Sequence, residues 1–225
     1  MKRLLTLIVG ACAFALSTKA ATVAAWTFEP TNSPGTLTGT TMTGLLPSSG
    51  TGTASGVHAS SASLFTSAVG NGSATSWASD HWAPGDYWQF QTSTVGFTGI
   101  QLSLAQRAVF NGPTNFNLAF SLDGVNFTTA VTQYGVRSDA NLGAWTSGSP
   151  NAGTISSFNL SSFTQLNNAS AVYFRVRANV PGPGEGRIDD CQVLGTVVPE
   201  PTTLALLGAA TLLGGYHTRA RRRHA

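Results

Sequence analysis

Residues 115–131 read NFNLAFSLDGVNFTTAV. Two runs that alternate apolar and polar residues, 115–122 and 127–131, flank Asp123-Gly124. An Asp-Gly pair in that setting predicts a β-hairpin, because the tight turn needs positive φ. The same grammar extends outward in both directions. Asn111-Gly112-Pro113 separates the run at 98–110 from the hairpin. Strand-like runs recur at 22–29, 87–93, 155–160, 172–180 and 186–194, each bounded by Gly, Pro, Asn or Ser. No long window repeats apolar residues at helical spacing. Many short strands with such punctuation predict an all-β fold, an antiparallel β-sandwich of jelly-roll type, over residues 21–196. Within it, 30–63 is rich in Gly, Ser, Thr and Pro, has weak strand character and reads as partly disordered. No repeat of 20–50 residues points to a solenoid or propeller.

The chain has 225 residues and a formal net charge of +3. That sign belongs to its ends. Setting aside Lys2, Arg3, Lys19 and the four arginines after Thr218 leaves five basic residues. Setting aside Glu200 leaves eight acidic ones, so the body is near −3. The basic ends are therefore no sign of nucleic-acid binding, and no basic stripe with interleaved aromatics exists. Uncharged Ser and Thr with scattered aromatics suit the strands of a secreted β protein.

Both ends read as targeting segments. Met1-Lys2-Arg3, an apolar run at 4–16 and small residues at 17–20 form a secretory signal peptide, with cleavage by signal peptidase expected after Ala20. Val9-Gly10-Ala11-Cys12 loosely resembles a lipoprotein box, but the apolar run continues past Cys12. At the other end Val198-Pro199-Glu200-Pro201 is extended, since proline fixes its own φ and restricts the residue before it. An uncharged Leu/Ala-rich run then leads to Arg221-Arg222-Arg223. A helix over 202–218 would span about 25 Å, enough to enter a bilayer with its arginines held on the cytoplasmic side. A signal helix within the signal peptide, 1–20, and a transmembrane helix within the tail, 197–225, should thus bracket the sandwich.

This tail resembles the PEP-CTERM sorting signal. The resemblance rests on the VPEP tetrad, the apolar segment with Gly208, Gly214 and Gly215, and the terminal arginine cluster. It implies recognition by an exosortase-like membrane protease after a transient stay in the inner membrane. Delivery to the surface or exopolysaccharide matrix of a Gram-negative bacterium follows. Two further segments resemble secreted sandwiches. Residues 121–127, SLDGVNF, are similar to the S-x-D-G-x-x-F/W hairpin of galactose-binding-like and discoidin-like domains. Residues 186–193, GRIDDCQV, are similar to the closing I-D-[DN]-V-x-V strand of lectin-like sandwiches.

Three sets of residues are candidates for chemistry. Glu29, Asp189 and Asp190 could converge where the first and last strands meet, and hard oxygen ligands suit a structural calcium. Strand alternation puts Asp189 on the face of Cys191 and Val193, where it needs a cation, an arginine (Arg175, Arg177 or Arg187) or backbone N–H groups. Trp77, Trp82 and Trp145 lie in loop-like sequence and are surface candidates for stacking on glycan rings, whereas Trp88 and Phe90 alternate as inward residues. Cys191 reads as a small buried hydrophobe, unpaired once the leader is gone. Enzyme signals are weak. His58 and His81 are the body's only histidines, and no G-x-S-x-G, H-E-x-x-H or P-loop occurs. His81 reads as a loop hydrogen-bonder. The reading is a non-enzymatic glycan- or matrix-binding module. The alternative is a polysaccharide-directed enzyme with a carboxylate pair in its loops.

Overall fold

The structure is a computed structural model that describes residues 20–199. The expected signal segment, the tail helix, Glu200, Pro201 and Arg221 to Arg223 lie outside the described residues. Fourteen strands are described: β1 Ala20–Trp26, β2 Leu37–Thr38, β3 Thr41–Leu45, β4 Ser49–Gly50, β5 Thr53–Val57, β6 Leu64–Ala68, β7 Ser76–Ser79, β8 Tyr87–Thr92, β9 Phe97–Ala108, β10 Asn115–Ser121, β11 Thr128–Gly135, β12 Ile155–Asn159, β13 Val172–Ala178 and β14 Gly186–Val197. The described α-helix is a single turn, Asp139–Leu142.

The strands form two antiparallel sheets, as the sequence predicts. One runs β12-β9-β14-β7-β6-β2, with β1 also paired to β14 and β4 to β1. The other runs β11-β10-β13-β8-β5-β3. Period-two burial builds the core between them. In β8, Trp88, Phe90 and Thr92 are buried while Tyr87, Gln89 and Gln91 face out; in β13, Val172, Phe174 and Val176 are buried opposite them. The facing sheet contributes Ile100, Leu102, Leu104, Ile188, Cys191 and Val193. Cys191 is buried in this core and its thiol is pushed well up by burial.

One expectation changes. The Gly/Ser-rich stretch 30–63 is not loose: it holds β2 to β5. Its glycines permit contacts that a side chain would block. A Cβ on Gly50 would run into the Val23 carbonyl, and one on Gly52 into that of Gln91. Both have positive φ, +80° and +142°. The hairpin expected at Asp123-Gly124 is present: β10 pairs antiparallel with β11, and Gly124 has φ +75°. The connection spans 122–127 and is organised by the Asp123 carboxylate, which accepts bonds from Ser121, Val125 and Asn126. Those donors hold Asp123 far below the usual carboxylate range.

β14 is the spine of the larger sheet. It pairs with β9 along one side and with β7 and then β1 along the other. Ala20 lies opposite Thr196, so the two ends of the described chain emerge as antiparallel neighbours. Val198 N–H still donates to the Gly96 carbonyl, at 2.8 Å, one residue before Pro199.

Candidate functional site

The three surface tryptophans of the sequence reading are inside. Trp77, Trp82 and Trp145 are 0%, 3% and 4% exposed. Trp77 belongs to β7, whose four residues are all buried, and packs on Phe28, Phe65 and Trp88. Trp82 donates to the Ser79 carbonyl at 2.8 Å and packs on Trp88 and Phe116. Trp145 donates to Thr154 Oγ1 at 3.1 Å and lies beside the Arg107 guanidinium. Indoles placed this way reinforce packing and cannot stack on a ligand.

The acidic candidates do not assemble into one site. β14 bulges at Asp189–Asp190: its register to β9 shifts there, and Asp190 has φ +47°. The bulge breaks the alternation, so Ile188 and Cys191 both enter the core while Asp189 turns away under residues 70–73. Asp189 is fully buried, and no arginine among the described residues pairs with it. Its Oδ2 accepts from Asn71 N–H and the Ser73 hydroxyl, both at 2.8 Å, and its Oδ1 from Asp190 N–H at 2.9 Å. Burial pushes the carboxyl up to about 7 against those donors, with the Asp190 charge adding to the rise. Asp190 is half-buried and also raised, by burial and then by Glu29. Among the described residues no three His, Cys, Asp or Glu side chains are grouped to hold a metal. Three protein donors already serve the Asp189 oxygens, so its burial is compensated within the chain.

One trio imitates a catalytic triad. Ser63 Oγ lies 3.1 Å from His58 Nδ1, and Asp86 Oδ2 lies 3.5 Å from the same nitrogen. A nucleophile and an orienting acid must engage opposite nitrogens of the imidazole. Here Nε2 is buried without a partner, and Ser63 is fully buried. Asp86 instead accepts from Ala59 and Ala83 N–H at 2.8 and 2.7 Å, so the trio ties three loops together. His81, with φ +53°, bonds Asp80 at 2.8 Å as a loop residue. Burial lowers the His58 pKa below its ordinary 6.5, outweighing the Asp86 charge. The unfolded chain therefore takes up this proton first. The His58 contribution to stability is complete above about pH 6.5 and is lost as pH falls through the lowered value. The loss is read as a difference: from pH 7 to 4.5 the melting temperature of His58→Phe should fall less, or rise more, than that of the wild type. An identical acid slope in the variant would assign the loss elsewhere.

What the sequence did not disclose lies on the outer face of the six-stranded sheet. Register aligns three rows on that side across β10, β13, β8 and β5, with Ala119 and Ser121 buried at their β10 ends: Asn117–Arg177–Tyr87–Val57, Ala119–Arg175–Gln89–Ser55 and Ser121–Tyr173–Gln91–Thr53. At the centre the Arg175 guanidinium lies 4.1 Å from the Tyr87 ring centroid and 3.7 Å from that of Phe127, which folds over from the 122–127 connection. Its Nε donates to Gln89 Oε1 at 2.8 Å. The guanidinium is thus held against two rings and fixed at Nε by Gln89. Sequence alternation could place Arg175 outward, but only the nonlocal approach of Phe127 and Tyr87 creates the clamp. A recess of about 210 Å³ opens beside Ser121, Asp123, Asn126 and Gln165. Ligand pockets usually exceed about 300 Å³, so the open face is the better candidate.

Comparisons with known proteins give one family match and a set of shape likenesses. No curated protein sequence matches the chain. Among solved structures, the CBM22-1 and GH10 modules of Clostridium thermocellum endo-1,4-beta-D-xylanase 10B, complexed with xylohexaose, share 14% identity at a TM-score of 0.47. That alignment covers 80% of this chain but spans only 30% of the xylanase chain. The C-terminal family 22 carbohydrate-binding module of the Clostridium thermocellum enzyme shares 12% identity at a TM-score of 0.43, covering 80% of this chain and 96% of that one. A cleaved adhesin domain of Lys-gingipain from Porphyromonas gingivalis shares 11% identity at a TM-score of 0.43, covering 78% and 97%. Residues 197–223 match the family model described as the PEP-CTERM protein-sorting motif. The chain is a β-sandwich carrying, from the last residue of β14 onward, a PEP-CTERM sorting signal, which marks it for export and passage from membrane to surface in Gram-negative bacteria.

Proposed function

We propose that this protein is a non-enzymatic, surface-retained module that binds polysaccharide through the outer face of its six-stranded sheet. The carrying observation is the clamp of Tyr87, Arg175 and Phe127 set among Gln89, Gln91 and Asn117. Half-exposed rings offer apolar faces to sugar C–H groups, and flanking amides and guanidinia offer hydrogen-bond donors in fixed positions. The face is broad and open, which suits a polymer lying across strands rather than a small molecule enclosed in a pocket. Export through the sorting signal brings the sandwich to the compartment where such polymers occur. Exosortase processing near the VPEP tetrad would then release the body from its membrane-held tail into the exopolysaccharide layer.

The test is retention on immobilised polysaccharides by the full-length chain in a non-ionic detergent. Tyr87→Ala and Phe127→Ala should each weaken retention about tenfold, the equivalent of one lost ring contact of about 1.4 kcal/mol. Retention unchanged in both variants, with the fold intact by circular dichroism, would remove the face from the function.

A further inference from the structure

We infer that the polymer held on this face is an anionic polysaccharide, bound through the Arg175–Arg177 pair. The inference rests on the glycan-binding reading above and adds the ligand's charge.

The first observation is the distribution of charge. The described residues carry five arginines and eight carboxylates, for a net charge near −3. Yet the six strands of the β11-to-β3 sheet contain just two charged residues, Arg175 and Arg177. They stand two residues apart on β13, so both point outward. A positive face has been kept on an otherwise negative body.

The second observation is that no carboxylate neutralises this pair. Arg107 is paired with Asp139 and Arg187 with Glu185. No ion pair joins Arg175 or Arg177 to an acid among the described residues. The acids nearest in sequence to the face accept from neutral donors and not from these arginines. Asp86, next to Tyr87, is buried and accepts from Ala59 and Ala83. Asp123, in the connection that carries Phe127, stays ionised but accepts from Ser121, Val125 and Asn126 and makes no ion pair with Arg175 or Arg177.

The third is the state of Arg175. Burial between the rings lowers its pKa, and the like charge of Arg177 lowers it further, against a favourable effect of Tyr87. Two guanidinia close enough to repel gain from a shared anion. The ring clamp also fixes Arg175 with little freedom left to lose, and a flat guanidinium edge suits the two oxygens of a carboxylate or sulfate. Rings and amides beside that edge suit a sugar backbone better than a bare polyanion.

The probe is a panel of polyuronates (polygalacturonate, alginate and hyaluronan), each as the free carboxylate and as its methyl ester, offered to the full-length chain in non-ionic detergent. At least one carboxylate form should bind about tenfold tighter than its own ester, and the difference should shrink as salt rises. Arg177→Gln, which removes a charge outside the clamp, should lower that affinity about tenfold and shrink the preference for carboxylate over ester. Arg175→Lys keeps the charge but loses the planar edge, and should fall between wild type and Arg175→Gln. Equal binding of carboxylates and esters, still lost in Tyr87→Ala, would overturn the charge inference and leave the glycan reading standing. Failure of the chain to bind any polysaccharide, charged or neutral, would overturn both. Single-stranded DNA bound as tightly as the best polyuronate, and unaffected by Tyr87→Ala, would make the face a general polyanion surface and would also overturn the inference.

Discussion

Trp88→Ala is expected to cost about 3–5 kcal/mol of folding stability, the range for truncating a large core aromatic. Trp88 is fully buried at the centre of a ring cluster, with Trp82 at 4.4 Å, Phe116 stacked at 6.0 Å and Trp77 at 6.3 Å. Its indole also packs against Gly186, where a Cβ would come within 3.3 Å of it. The two sheets meet here: Trp88 and Phe116 come from one, Trp77 and Gly186 from the other. Neither sheet can close the void alone. Against a typical total of about 5–15 kcal/mol, the loss should leave the variant marginal. Urea denaturation measures it directly. Trp145→Ala removes an indole outside the central cluster and should cost less. A cost below about 1 kcal/mol for Trp88→Ala would mean that this region packs differently.

Asp189→Ala is expected to cost about 3 kcal/mol, because it strands Asn71 N–H and Asp190 N–H in a buried place. The Ser73 hydroxyl has a way out, since the Thr75 carbonyl lies 3.2 Å away. The same geometry allows two protonation states. Ionised, Asp189 accepts from all three donors. Protonated, it can donate to Ser73, which passes its own hydrogen to Thr75. Burial favours the second and raises the folded pKa to about 7 from 3.8. The contribution is therefore complete below about pH 3.8 and is lost as pH rises through about 7. Its sign is opposite to that of His58, and the two should partly cancel between pH 5 and 7. Melting curves of Asp189→Ala across pH 4–8 should lose the alkaline decline of the wild type while keeping the acid one. A wild type whose stability climbs through pH 7 would refute the raised carboxyl.

The strong strands were legible because their side chains alternate over five or more residues, as in β8, β10 and β13. β2 and β4 are two residues each and contain no alternation to read. β5, TASGV, buries an alanine and a glycine, so its inward face carries no large apolar residue. The Asp189 environment was half legible: its burial could be foreseen, but the bulge that turns it from Cys191 depends on a positive φ at Asp190. The tryptophans misled for a related reason. Trp77 and Trp82 sit among Ser, Ala and Pro, whose loop-like composition hides a short, fully buried strand. The Arg175 clamp draws on three segments, and their convergence is a property of the sheet order.

The place of β14 also decides how the molecule bears tension. A chain held by its tail and dragged through its body transmits the pull along β14, the last strand before the sorting signal. That strand is laced on both sides, to β9 and to β7 and β1. Its ladder bonds lie across the pull and must give way together rather than one after another. Ala20, beside Thr196, stands at the same pole. A body tethered there hangs from its most heavily bonded strand, in the shear direction that best resists tearing.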